Sequence, residues 1–329
     1  MQNRVIVCDK NALSISENLR KIELSLLDRG QFNFSFFACS NLSDCLKFLN
    51  DVSFEKTVIV CPNAMIDEVL NSVKTDGSSL TLLNEQAVKV ETEVETEFLL
   101  VPIELDATMF LSEFLPMNAV HSISVFGKNK AFLQEKFEEL KKKYDDFDYE
   151  IITLNQFLHN VYYSRFVDQQ QLAEMLGESL VSFKAQDLQS ACLEKLDKKL
   201  SVVEFMTDGN VTSKLTKQKA SALAKSFVFL SEDDFEELGI DKDFVEKNGS
   251  VSKEMVFAMA KNLLKKTDGD LAMAVTGFDC DAGRSFVAVG NKNVIHVFSS
   301  VFYGSRAERM ENITDFACFC LLKFLKEDK

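Results

Sequence analysis

The stretch 249–277, which begins Gly-Ser-Val-Ser-Lys-Glu-Met-Val-Phe-Ala-Met-Ala and ends Ala-Met-Ala-Val-Thr-Gly, constrains this chain more than any other. Ser250 or Ser252 is placed to cap a helix whose first turn holds Glu254, and Met255, Met259, Leu263 and Leu264 recur at helical spacing. Lys265 and Lys266 sit where a helix dipole favours cations, and Asp268, Gly269 and Asp270 supply the stop. Residues 271–275 are apolar throughout, as in a short strand covered on both faces. Thr276 and Gly277 then fall at the carboxyl end of that strand, where an open α/β sheet places its ligands.

The N-terminal part alternates in the same manner. Residues 4–7 read as a strand, and 14–27 as a helix with Ile15, Leu19, Ile22 and Leu26 on one face. Phe32, Phe34 and Phe36 alternate with polar residues as a second strand, 42–49 forms a helix and 57–60 a third strand. This βαβαβ order implies a parallel sheet with right-handed crossovers. A helix at 66–73, a polar stretch at 75–79, an alternating acid-edged segment at 88–97, a strand at 98–102 and a helix at 109–115 follow. Strands at 122–126 and 149–154, a helix at 130–144 and another through Leu172, Met175 and Leu176 make a small α+β module. The rest reads as a helix at 186–196, a strand at 200–204, a turn at 207–209, a Lys-rich helix, and a strand at 227–230. The acidic run 231–237 precedes the opening stretch. After it come strands at 285–289 and 294–298, a hairpin around Asn291, and a last helix at 306–326. The expected fold class is α/β with three domains, at 1–117, 118–183 and 184–329.

Bulk properties exclude several classes. A formal net charge of -14 argues against nucleic acid as a partner, because a phosphate backbone is bound by clustered Lys and Arg. The eight cysteines include no C-x-x-C pair and no secretory framework, so they read as buried, reduced thiols; Cys318 and Cys320 lie in an apolar helical run with Phe316 and Phe319. There is no basic-then-apolar leader and no long uninterrupted apolar window, which points to a soluble, cytoplasmic protein without a membrane partner. Twelve glycines form neither G-x-G-x-x-G nor a P-loop, and no metal or cofactor motif stands out. His121, His159 and His296 are scattered in or near apolar segments and read as structural.

The run ELGI-DKDFVEKNGSVSKEMVFAMA, then DLAMAVTG, SFVAVG, VFYGSRAER and a terminal helix, resembles the C-terminal domain of the competence/damage-inducible CinA family over about residues 186–329. That domain is similar to the stand-alone nicotinamide mononucleotide amidohydrolases. The first and second domains look, by element order, like the family's molybdopterin-binding-like and KH-like domains in shortened form. The KH-type G-x-x-G clamp is missing, since Gly127 is followed by Lys128, Asn129 and Lys130. The Gly-rich signatures of the first domain fall on 8–12 and 61–65, where the required glycines are absent.

The resemblance implies a serine nucleophile in A-E-S-C-T-G-G, assisted by a tyrosine and a lysine in Y-S-N-E-x-K. Here the first segment is Val-Glu-Phe-Met-Thr-Asp-Gly at 203–209: Glu204, Thr207 and Gly209 match, but Phe205 stands at the nucleophile. Phe229 stands at the tyrosine and Asp234 at the lysine. A phenyl ring can neither attack a carbonyl nor accept a proton, and Asp for Lys reverses the charge. No catalytic residue is therefore expected. The expected ligand-binding set is Glu204, Thr207, Gly209, Thr276, Gly277 and Arg306. Arg306 follows Gly304 as the family's phosphate-side arginine does, or simply charges a helix start.

Two functions stay open. One is a catalytically inactive CinA-like scaffold or sensor whose ligand is a nicotinamide or adenine nucleotide. The other is a divergent, active amidohydrolase using Thr207 or Cys280 as nucleophile. The resemblance also implies a homo-oligomer.

Overall fold

The computed structural model describes residues 2–49, 54–83, 86–93, 96–277 and 283–327. The chain divides into two compact units: residues up to 121 with 140–150 and 162–166, and residues 122–139, 151–161 and 167–329. The α/β class is observed, with three sheets.

In the first unit, strands β1 (Gln2–Cys8), β2 (Phe34–Cys39), β3 (Phe54–Cys61), β4 (Ser79–Leu83), β5 (Ala87–Glu91) and β6 (Glu97–Pro102) form a sheet in the order β2-β1-β3-β6-β5-β4. Helices α1 (Ala12–Asp28), α2 (Leu42–Leu49), α3 (Ile66–Val73) and α4 (Thr108–Phe114) cover it. The strands β2, β1, β3 and β6 are parallel. Val5 and Val7 pack with Ile22, Leu26 and Phe110 of α1 and α4, while Ile6 and Cys8 pack with Cys45 and Val69 of α2 and α3. A strand with helices on both faces must be apolar at successive positions, which is why β1 and β3 read as continuous runs. Two antiparallel strands, β5 and β4, extend this sheet. The segment 88–97, read from sequence as one alternating stretch, instead ends its strand at Glu91, and β4 precedes it in a stretch given no strand.

Strands β7 (His121–Phe126), β8 (Tyr149–Thr153), β9 (Leu158–Tyr163) and β10 (Leu180–Ser182) form a four-stranded sheet ordered β10-β7-β9-β8, accompanied by α5 (Lys130–Lys143) and α6 (Gln169–Leu176). β9 is a strand that sequence reading did not assign. Its polar residues are buried, and Asn160 accepts a 2.7 Å hydrogen bond from Ser124.

The third sheet carries the interest. It contains β11 (Leu200–Phe205), β12 (Leu223–Phe229), β13 (Leu271–Thr276), β14 (Arg284–Gly290) and β15 (Ile295–Val301) in the order β12-β11-β13-β14-β15. The first three are parallel, and β14 and β15 run antiparallel. Helices α7 (Leu188–Lys195), α8 (Asn210–Lys219) and α11 (Arg306–Glu327) cover one face; α9 (Lys242–Asn248), α10 (Lys253–Lys266) and a 3-10 turn at Glu232–Leu238 cover the other. Alternation assigns the apolar residues of β13 to the two faces: Leu271, Met273 and Val275 join the α7–α11 core, and Ala272 and Ala274 the α10 core. The aromatic rings of α11 serve this unit's own core. Phe319 lies 4.8 Å from Phe126, Phe316 lies 5.7 Å from Phe302, and Phe324 is 1% exposed.

Ser252, not Ser250, is the N-cap of α10. Its Oγ accepts the Met255 N–H at 3.0 Å. Replacing it by Ala is expected to destabilise the protein by about 1 kcal/mol, and Ser250→Ala to leave stability unchanged, as read from urea unfolding midpoints.

Candidate functional site

The carboxyl ends of the three parallel strands lie in register: Phe205 of β11 pairs with Phe229 of β12 on one side and with Thr276 of β13 on the other. Beyond Phe205 the chain reverses into α8 within a few residues, through left-handed backbone at Met206 (φ 62°), Asp208 (φ 52°) and Gly209 (φ 76°), the last being the N-cap of α8. Only glycine takes that conformation without steric cost, so the two side-chain-bearing residues are held there against preference.

Two contacts hold them. The Gly277 N–H donates to Phe205 O at 2.6 Å, and a Cβ added at Gly277 would lie 2.6 Å from Met206 Cβ and 2.7 Å from Met206 O. Glycine at 277 therefore lets the two turns touch. On the other face, the fully buried Glu204 carboxylate accepts from Thr207 Oγ1 at 2.7 Å, from the Val211 N–H at 3.1 Å and from the Thr212 N–H at 2.9 Å. A helix N-terminus leaves such N–H groups without intrahelical partners and favours negative charge beside them. Glu204, Thr207 and Gly209 are thus brought together as a staple between strand and helix.

Thr276 and Gly277 meet this turn as the sequence placed them. Thr276 is fully buried, and its Oγ1 has no hydrogen-bond partner among the described residues. Arg306 reaches over from the start of α11, and its Nη2 donates to Asp208 Oδ1 at 2.9 Å and Oδ2 at 2.8 Å. Sequence reasoning missed this pairing, because the two residues are separated by 98 positions and nothing local signals it.

Phe205 and Phe229 are 4% and 2% exposed. Phe235, which sequence reading left out of the site, lies between them: its ring centroid is 4.9 Å from that of Phe205 and 5.7 Å from that of Phe229, the latter edge-on at 84°. The three rings belong to the core formed with Met255 and Met259 of α10. Asp234 is turned to its own backbone. Its Oδ2 accepts the Leu230 N–H at 2.7 Å and the Ser231 N–H at 2.8 Å, in a capping box with Ser231. These donors, Ser231 first and Leu230 next, hold its carboxyl below the usual 3.8. The pattern Ser-x-x-Asp at 231–234 is a sequence signature for this cap.

The seven described cysteines are buried and free, and burial pushes the Cys8 and Cys61 thiols up to about 12. Cys280 lies outside the described residues. His159 is hydrogen-bonded to Thr153 Oγ1 at 3.0 Å, His296 lies 3.2 Å from Glu327, and His121 stacks on Tyr163. Among the described residues no group of three or more His, Cys, Asp or Glu is arranged to hold a metal ion, and no helix is long and apolar enough to cross a membrane.

Residues 183–325 match the family model of the CinA C-terminal domain. A CinA-like protein of Leptospira biflexa is 32% identical over 139 residues, covering 39% of this chain and 33% of the relative. A CinA-like protein of Thermosipho melanesiensis is 26% identical over 237 residues, 68% of this chain and 57% of the relative. The chain thus spans between a third and somewhat over half the length of these relatives. A competence-damaged protein (CinA) superfamily structure from Klebsiella pneumoniae aligns over 43% of this chain and 96% of its own, with 21% identity and a TM-score of 0.41.

Two outcomes follow from the geometry. Gly277→Ala drives a methyl into Met206 and is expected to cost about 1–3 kcal/mol in urea unfolding. Because the Asp234 carboxyl is held below 3.8, the stability of its cap is complete above that value and is lost as pH falls through the lowered native value. Unfolding midpoints measured between about pH 2 and pH 6 should show that loss, and Asp234→Asn should flatten it.

Proposed function

We propose, from the match of residues 183–325 to the CinA C-terminal domain model, that this chain is a catalytically silent CinA-like protein whose retained fold serves as a scaffold. The observation that carries this reading is the Phe205, Phe235 and Phe229 cluster. It occupies the strand ends where the family resemblance implies a serine nucleophile and a tyrosine. Two further features support it. Asp234, at the position of the lysine, is engaged with its own backbone. Arg306, at the position of the phosphate-side arginine, is engaged by Asp208, whose carboxylate supplies the negative charge a phosphate would bring.

Thr207 is a poor replacement nucleophile. It is fully buried, and its hydroxyl proton is donated to a carboxylate that already accepts two backbone N–H groups. A base so engaged has little capacity left to take a proton, and a hydroxyl without exposure does not reach a substrate carbonyl. The homo-oligomer implied by the resemblance and the cytoplasmic setting expected from the sequence belong to the same proposal; sedimentation equilibrium of the purified chain tests the first.

One observation favours a second reading, a nucleotide sensor. The Thr276 hydroxyl, fully buried and without a partner among the described residues, lies beside the 205–209 turn, and a ligand would satisfy it only where that turn opens to expose it. Nicotinamide mononucleotide separates the readings. The scaffold gives neither ammonia nor heat of binding in calorimetry at millimolar ligand, whereas heat without ammonia from the unaltered protein selects the sensor. Ammonia release abolished by Thr207→Ala or Cys280→Ala sinks both. Asp208→Gly, which removes the carboxylate that Arg306 donates to and suits the left-handed backbone, is expected to bring weak binding of the mononucleotide and still no ammonia.

A further inference from the structure

Three cavities lie side by side along the seam between α10 and β15. One of about 690 Å³ is walled by Lys292, Val294 and Ile295 at the start of β15, and one of about 570 Å³ reaches Val297; they share Phe257, Lys261 and Lys265 of α10. A third of about 550 Å³ reaches Ser299, Ser300 and Val301 and shares Lys253 and Glu254 with its neighbour. Together they follow β15 over its whole length. β15 ends the five-stranded sheet, so its outer edge is paired to no strand among the described residues. Ile295 and Val297 turn toward α10, while Phe298 turns to the α11 core. Phe257 and Val294 are 42% and 40% exposed.

The seam is basic in a chain of net charge -14. Lys253, Lys261, Lys265 and Lys292 form no ion pair among the described residues. Other lysines of the same unit do, as in Lys323 with Glu178 at 2.8 Å and Lys242 with Asp233 at 2.9 Å. The carboxylates lining the seam are Asp241, occupied as the N-cap of α9, and Glu254. From Lys253 to Lys265 the helix rises about 18 Å, the reach of five or six residues of extended chain.

These features select the occupant. A phosphate is cradled by converging backbone amides, whereas here ammonium groups are strung along a helix face. Single-stranded nucleic acid stacks on a run of aromatic platforms, and the described lining offers only Phe257 and Phe244 in one cavity and the more recessed Phe286 in another. An unpaired strand edge is matched by another main chain. We propose that the seam docks an extended acidic segment of another protein, which adds to β15 as a sixth strand. On the face turned to α10 its side chains are carboxylates that meet Lys253, Lys261, Lys265 and Lys292, and its alternate, apolar side chains turn to the opposite face, the one that Phe298 occupies on β15.

The test is fluorescence anisotropy of the full chain with a labelled octapeptide alternating glutamate and valine. Binding is expected, weakening several-fold between about 50 and 300 mM salt. The same peptide N-methylated at alternate residues, which cannot pair with a strand edge, should lose at least about tenfold in affinity. Lys261→Glu with Lys265→Glu should lose a similar factor while the urea midpoint stays within that of the unaltered protein. The proposal is overturned by binding that survives N-methylation or charge reversal, or by preference for a lysine–valine peptide or an oligonucleotide. No binding at millimolar peptide overturns it too, as does self-association of the chain abolished by the charge reversal, which makes a second copy the occupant.

Discussion

The buried carboxylate of Glu204 is the interaction on which the third sheet's carboxyl end depends. Burying such a group is costly unless donors surround it. Here one hydroxyl and two N–H groups of the first turn of α8 do so. For the side chain to reach them, the chain must reverse from strand to helix almost at once. That requirement puts Met206 and Asp208 into left-handed backbone and brings Met206 down on Gly277. The position of α8, the contact between the two turns and the placement of Asp208 beside Arg306 are consequences of one satisfied carboxylate.

Most strands were legible because both faces of their sheets are covered, so burial wrote itself as unbroken apolar runs in β1, β3 and β13. The strands that were missed fail that condition. Leu80 and Leu82 of β4 are 45% and 60% exposed, so nothing in the pattern of that edge strand reports a core. In β9, His159 and Asn160 are buried through side-chain hydrogen bonds, which hydropathy cannot register. The choice between Ser250 and Ser252 needed the backbone, because both precede the helix and only Ser252 faces the Met255 N–H.

At the site, residue types and order were legible and the partners were not. Phe205, Phe229, Thr276 and Gly277 come together because ladder register carries short-range sequence information across the sheet. Phe235 and the Asp208–Arg306 pair depend on how a 3-10 turn and α11 return to the strand ends, which no local spacing encodes. Asp234 had a local signal, the capping-box pattern with Ser231, that outweighs its correspondence to a lysine.

Net charge is a sum, and its distribution matters more to recognition than its value. Several acids of this chain are spent at helix starts: Asp168, Asp187 and Asp241 each accept backbone N–H groups. The helix dipole and these N–H groups offset part of their charge, whereas Lys253, Lys261 and Lys265 of α10 form no ion pair among the described residues. The same reasoning applies to the strand ends. Polar catalytic groups in a buried crevice cost stability, whereas a buried phenylalanine contributes about 1.5–3 kcal/mol of transfer free energy. Phe205 and Phe229 are part of the core shared with Met255 and Met259. Persistence of the fold is therefore what loss of the reaction would produce, and a well-packed α/β domain carries no implication that its chemistry survives.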